Sequence, residues 1–165
     1  MTRDERVDLF MENAAKVAAE PVRVRDAAGM NAVLNGILEE SDSVYCPAVT
    51  EKEKAVEIPE QKRSQDYTTA STCVEEVFGG IAETGSLICS SAEGKTVQAG
   101  LLPLHHVAIV AEEHIFEKLD DFFTSLGEAP PTNITLETGP SKTADIELTL
   151  TIGVHGPGRL TIIVY

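Results

Sequence analysis

Three short loops in the second half of the chain concentrate glycine, hydroxyl and charged residues. They are Glu83-Thr84-Gly85-Ser86, Gly139-Pro140-Ser141-Lys142-Thr143-Ala144-Asp145-Ile146-Glu147, and Gly153-Val154-His155-Gly156-Pro157. In the second loop, backbone N–H groups at a helix start, together with Lys142, could hold a carboxylate or phosphate. An ordinary strand-to-helix turn capped by Ser141 uses the same residues. Of the bases after Glu83, which are Lys95, Lys118, Lys142 and Arg159, Lys142 is the one inside a glycine- and serine-rich loop.

Asp145 and Glu147 could act as general acid or base, or could fix the loop by accepting N–H bonds. Glu83 could serve as a nucleophile or simply as a turn carboxylate. His155 could titrate near neutral pH and orient a ligand, or bond only to backbone. His105 and His106 are adjacent, so on a strand they face opposite sides and cannot share one ordinary metal site. His106 is expected to be a buried, satisfied histidine at a strand start.

Gly94-Lys95-Thr96 resembles the end of a nucleotide-binding loop, but the glycine required five positions earlier is Cys89. Cys46, Cys73 and Cys89 are odd in number and widely spaced, so they encode neither a disulfide framework nor a Cys-x-x-Cys site. They are expected to be reduced, mostly buried thiols, with no metal held by this chain.

A length of 165 residues suits one domain, spanning 1–165, with N-terminal helices in 1–42 and the motif-bearing part in 80–165. The formal charge of −14 repels a phosphate backbone, so nucleic acid is excluded as an expected partner. No stretch approaches the roughly 20 apolar residues that span a bilayer, and the first residues lack the apolar run of a secretory signal. A cytoplasmic protein without membrane insertion is expected.

The elements that must position these loops follow from periodicity. Val7, Phe10, Met11, Ala14, Val17 and Ala18 fall on one helical stripe, which Pro21 is expected to end. Asp26 can cap a second helix carrying Met30, Val33, Leu34, Ile37 and Leu38. A short strand over 43–46 should follow, and then an exposed connection over 50–66. Thr72 and Glu75 fit the capping box of a short helical turn. Two strands are expected to meet at 83–86, with further strands over 106–110, 133–138 and 160–165 and a helix over 115–126. Residues 144–153 alternate like a strand but begin like a helix, and the crossover needed between parallel strands favours a helix there. Alternating strands and helices argue for an α/β fold with a mostly parallel sheet and helices on both faces.

In spacing and order, the three loops together with Pro103-Leu104-His105-His106 resemble the lactate utilization (LUD) domain family, over roughly residues 80–165. The resemblance implies a three-layer α/β/α fold similar to the CoA transferase and ribose-phosphate isomerase superfamily. It further implies a part in oxidising L-lactate to pyruvate, with iron–sulfur clusters carried by partner proteins and none in this chain. Carried onto this sequence, Thr84, Gly85, Ser86, Gly139, Ser141, Lys142 and Thr143 would bind a small anionic metabolite, with Glu83, Asp145 and His155 as catalytic candidates. His106 and Glu147 would be structural or lie near it. These loops are expected to converge near the carboxyl ends of sheet strands.

The sequence departs from the family at Lys142, usually arginine, and at Ser86, usually threonine. An ammonium neutralises an anion but cannot grip it bidentately. The N-terminal half is also shorter, so a substrate lid would be missing. Two other readings remain open beside the lactate-oxidising subunit. One is an independent CoA transferase-like enzyme acting through Glu83 on a small carboxylate or phosphorylated metabolite. The other is a docking module for iron–sulfur partners.

Overall fold

The first helix, α1 (Arg3–Lys16), begins in a capping box: the Thr2 hydroxyl accepts from the Glu5 N–H and the Glu5 carboxylate accepts from the Thr2 N–H. Its Val7, Phe10 and Ala14 are buried. The computed structural model describes residues 1–141 and 156–165. The helix stops before Pro21, because Ala18 takes a positive φ of 68° and turns the chain into a strand, β1 (Glu20–Arg23). Pro21 is therefore a strand residue, and it is tolerated because β1 is an edge strand. As expected, Asp26 caps α2 (Ala27–Glu40), accepting the Gly29 N–H at 2.8 Å.

Then come β2 (Val44–Tyr45), α3 (Glu51–Lys54), β3 (Arg63–Ser64), β4 (Thr72–Glu76), β5 (Gly79–Ile81), β6 (Ser86–Ser90) and α4 (Gln98–Leu101). The chain continues through β7 (His105–Val110), β8 (Ile115–Phe116), α5 (Leu119–Ser125), β9 (Ile134–Glu137) and β10 (Arg159–Val164). Among the described residues, six strands form an all-parallel sheet in the order β1-β10-β7-β4-β2-β3. A smaller mixed sheet has the order β8-β5-β6-β9.

Alternation along the central strands sorts side chains between two cores. Val74, Val107, Ile109 and Ile163 pack with Met30 and Leu34 of α2. Ala108, Val110, Ile162 and Val164 pack on the other face with Val7 and Phe10 of α1 and with Leu87 and Cys89 of the small sheet. The large sheet is thus covered by α2 on one side and by α1 beside the small sheet on the other.

Three local expectations are corrected. Thr72 and Glu75 belong to strand β4 and not to a capped helical turn, because β4 is buried on both faces and shows no alternation. The segment 50–66 is not a wholly exposed connection: Glu53, Val56 and Ile58 are buried. The helix expected over 115–126 is shorter, since Ile115 and Phe116 pair with β5 before α5 begins. The helix-or-strand question over 144–153 lies outside the described residues.

Candidate functional site

The hairpin between β5 and β6 carries the first sequence motif. Gly85 has φ 68°, and a Cβ there would lie 2.2 Å from the backbone nitrogen of Ala14, so the turn is pressed against the end of α1. Asn13 pins it further, donating to the Ala82 carbonyl at 2.8 Å and to the Glu83 carbonyl at 3.3 Å. The hydroxyls of Thr84, Ser86 and Thr138 form a chain with both links 2.7 Å long, which draws the hairpin to the start of the Gly139 loop. Gly139, at φ 69°, sits against the Val17 carbonyl, and the Ser141 N–H donates to the Pro157 carbonyl.

The described residues of all three motif loops, Gly156 and Pro157 included, therefore do meet. They meet beside the end of α1 and beside Pro157, which precede β1 and β10, and so at the amino ends of the parallel strands. The expected position at the carboxyl ends is corrected. Glu83 is exposed at the hairpin tip, where its carboxylate accepts the Leu119 N–H at 3.0 Å and caps the start of α5. Lys142, Thr143, Asp145, Glu147 and His155 lie outside the described residues.

A different group of side chains converges between the two sheets. Glu75 and His106 stand on neighbouring parallel strands and share the face turned to the small sheet, since Cys73 pairs with His106 and Glu75 with Ala108. From the opposite side, β9 places Glu137 against His106, with Nδ1 2.7 Å from Oε2. The Cys89 thiol donates weakly to the same oxygen at 3.9 Å. Glu75, His106 and Glu137 are 4%, 0% and 5% exposed. Across from Glu137, His106 Nε2 lies 3.2 Å from Glu75 Oε1, near enough for an ion pair but out of line for a hydrogen bond. Among the described residues, Glu137 Oε1 is also buried without a hydrogen-bond partner.

Burial alone would disfavour a charged imidazole here, but the charge and hydrogen bond of Glu137, together with the nearby charge of Glu75, outweigh it and raise the His106 pKa to about 10. His105, on the other face, moves the other way. Its burial and then the charge of Arg159 lower its pKa to about 4, and its Nε2 lies 2.9 Å from the Thr161 hydroxyl. The sequence correctly separates the two rings by face. His106 is buried as expected, but among the described residues one of its ring nitrogens lacks an aligned partner, which departs from the satisfied histidine anticipated. Burial pushes the Cys73 and Cys89 thiols well above their usual range and Cys46 to about 11.

Glu75 opens onto a cavity of about 210 Å³ at the carboxyl ends of β4 and β6, lined also by Thr50, Phe78, Cys89, Ser90 and Lys95. This is the end of the strands at which open α/β sheets hold ligands. Its rim is tied together by Glu53, only 1% exposed. That carboxylate accepts from the N–H groups of Val49 and Thr50, from the Glu76 N–H and from the Lys95 ammonium. Lys95 also donates to the Glu76 carbonyl. Glu53, Glu75, Lys95 and Glu137 were not singled out from the sequence as site residues. The one available signal is weak and touches only Glu75 and Glu137, acids within short runs of strand-forming residues.

The LUD domain family matches residues 7–165. Lactate utilization protein C of Halalkalibacterium halodurans is 34% identical over 125 residues, 70% of this chain and 49% of that protein. Lactate utilization protein C of Bacillus licheniformis is 29% identical over 164 residues, 95% of this chain and 67% of that protein. The chain thus spans about half to two thirds of the length of these relatives. A crystal structure of a DUF162 family protein from Deinococcus radiodurans superposes with a TM-score of 0.74 at 20% identity, covering 99% of this chain and 98% of that one. That likeness supports the same fold.

Proposed function

The chain belongs to the LUD domain family, and from that premise we propose that it serves lactate utilization, taking part in the oxidation of L-lactate to pyruvate alongside iron–sulfur partner proteins. In this reading the cavity beside Glu75 and Lys95 is where the small metabolite sits. The observation that carries it is the extent of the family match: residues 7–165 include every residue of the cavity and of the carboxylate–imidazole centre.

Size supports the assignment. A cavity of about 210 Å³ holds roughly seven water volumes at about 30 Å³ each, which suits a metabolite of a few non-hydrogen atoms. Its contents fit as well, with apolar Phe78 beside a carboxylate, an ammonium and hydroxyls that can fix orientation. The test is genetic and biochemical. Deleting the gene in its native host should abolish growth on L-lactate, and the wild-type chain should restore it. The tagged chain from lactate-grown cells should bring down iron–sulfur proteins. Unimpaired growth of the deletion strain on L-lactate would sink the reading.

A further inference from the structure

The geometry points to Glu75 as the ligand-contacting carboxylate of the cavity, taking a hydrogen bond from a hydroxyl group of the bound molecule, with His106 and Glu137 as positioning residues behind it. This rests on the reading of the cavity as the metabolite site. Four observations lead there. Glu75 is almost fully buried, yet among the described residues no N–H or O–H is aligned on its carboxylate, whereas buried polar groups as a rule have such a partner. Its neighbour His106 lies at 3.2 Å but off-line, so it supplies charge and leaves the hydrogen-bonding directions of Glu75 open. The imidazole is held from behind by Glu137 at 2.7 Å. Finally, Gly100 packs over the pair, where a Cβ would come within 2.5 Å of both Glu75 Oε1 and His106 Nε2. The contact is therefore kept free of side chains.

Lys95 decides the kind of donor. An ammonium has three N–H groups, and two of those on Lys95 go to Glu53 and to the Glu76 carbonyl. The third can meet an acceptor in the same cavity. A small molecule with a hydroxyl to donate to Glu75 and an oxygen to accept from Lys95 satisfies both groups. A cationic ligand would satisfy Glu75 and be repelled by Lys95.

The test compares L-lactate with propionate, which lacks only the hydroxyl, and with 1,2-propanediol, which lacks the carboxylate. Each is titrated calorimetrically into the full chain near neutral pH. Wild type should prefer L-lactate over propionate by about tenfold to a hundredfold, the range for a hydrogen bond to a charged group. Glu75→Gln should reduce that preference to about a few-fold, as a neutral acceptor is roughly half as strong.

Imidazole nitrogen NMR gives a readout that a merely structural role would not move. L-Lactate should shift the His106 Nε2 resonance in wild type and propionate should not. With Glu137→Gln the preference should become pH-dependent around neutrality, because His106 then loses its proton at lower pH, while in wild type it should stay flat well above neutrality.

Binding of L-lactate with the preference unchanged in Glu75→Gln overturns the inference and leaves the functional reading intact. Glu75-dependent binding of the diol without any binding of L-lactate does the reverse. Should Glu75→Gln not fold, equal His106 shifts from L-lactate and propionate in wild type would overturn it, as would failure of all three probes to bind.

Discussion

The hydroxyl chain at the β5–β6 hairpin and the carboxylate–imidazole centre are joined by β6 and β9 and are built by opposite rules. Ser86 and Ser90 bound β6 and stand four residue steps apart, roughly 13 Å at about 3.3 Å per residue. At the hairpin, small neutral groups satisfy one another and two glycines let backbone meet backbone. At the centre, full charges are buried and, among the described residues, two polar atoms lack aligned partners. Reciprocal satisfaction is what a structural joint needs. Buried charge with open hydrogen-bonding directions is costly unless something completes it, which makes the second region the place to look for a ligand.

The contrast should show first in stability. Glu53→Ala removes one partner of a buried ion pair and frees three backbone N–H groups, and should cost about 3–5 kcal/mol, read as a lower urea midpoint. At the hairpin the large effect should come from backbone and not from charge. Gly85→Ala combines a left-handed backbone cost of about 1–2 kcal/mol with overpacking of about 1–3 kcal/mol against Ala14, for a loss of about 2–5 kcal/mol. If Ser86→Ala or Thr138→Val also reached that size, the hydroxyl chain would be more than a joint.

The adjacent histidines make a pH test of the same contrast. Unfolded, each releases its proton near 6.5. Folded His106 keeps its proton to about 10, so between those values the native state binds the extra proton and stability falls as pH rises. Folded His105 stays neutral down to about 4, so between 4 and 6.5 the unfolded state binds the extra proton and stability rises with pH. Each arm has a limiting slope of about 1.4 kcal/mol per pH unit. Urea midpoints measured across this range should therefore peak near neutrality. Glu137→Gln should flatten the alkaline arm and His105→Gln the acid one. An alkaline arm unchanged by Glu137→Gln would mean that Glu137 does not hold the His106 charge.

The sequence reveals more of the fold than of the site. Asp26, the α2 stripe, the hairpin at 83–86 and the strands ending at Val110 and Val164 all follow from local periodicity and turn residues. β1 does not, because four residues containing Pro21 have no strand signal until β10 pairs with them. The hydroxyl and glycine loops stand out because turns need those residue types. Glu75 and Glu137 do not, since each is one acid in a short strand and their meeting depends on register across two sheets. The pairing of Lys95 with Glu53, 42 residues away, is a product of topology of the same sort.

The smallest expected effect falls on the residue with the most dramatic alternative role. A nucleophilic Glu83 would need its carboxylate free, but that carboxylate accepts the Leu119 N–H at the start of α5, and the hairpin tip is a strand's length from the cavity at Ser90. As a helix cap it is worth about 0.5–1 kcal/mol, so Glu83→Ala should lower the urea midpoint slightly. Binding of L-lactate should be unchanged within error, because nothing at the hairpin tip lines the cavity. Incubating wild type with acyl-CoA and digesting it should give no modified peptide containing Glu83. A thioester-derived adduct on that side chain, lost in Glu83→Ala, would make the hairpin the chemical centre and the buried imidazole its structural support, reversing the roles assigned to the two regions.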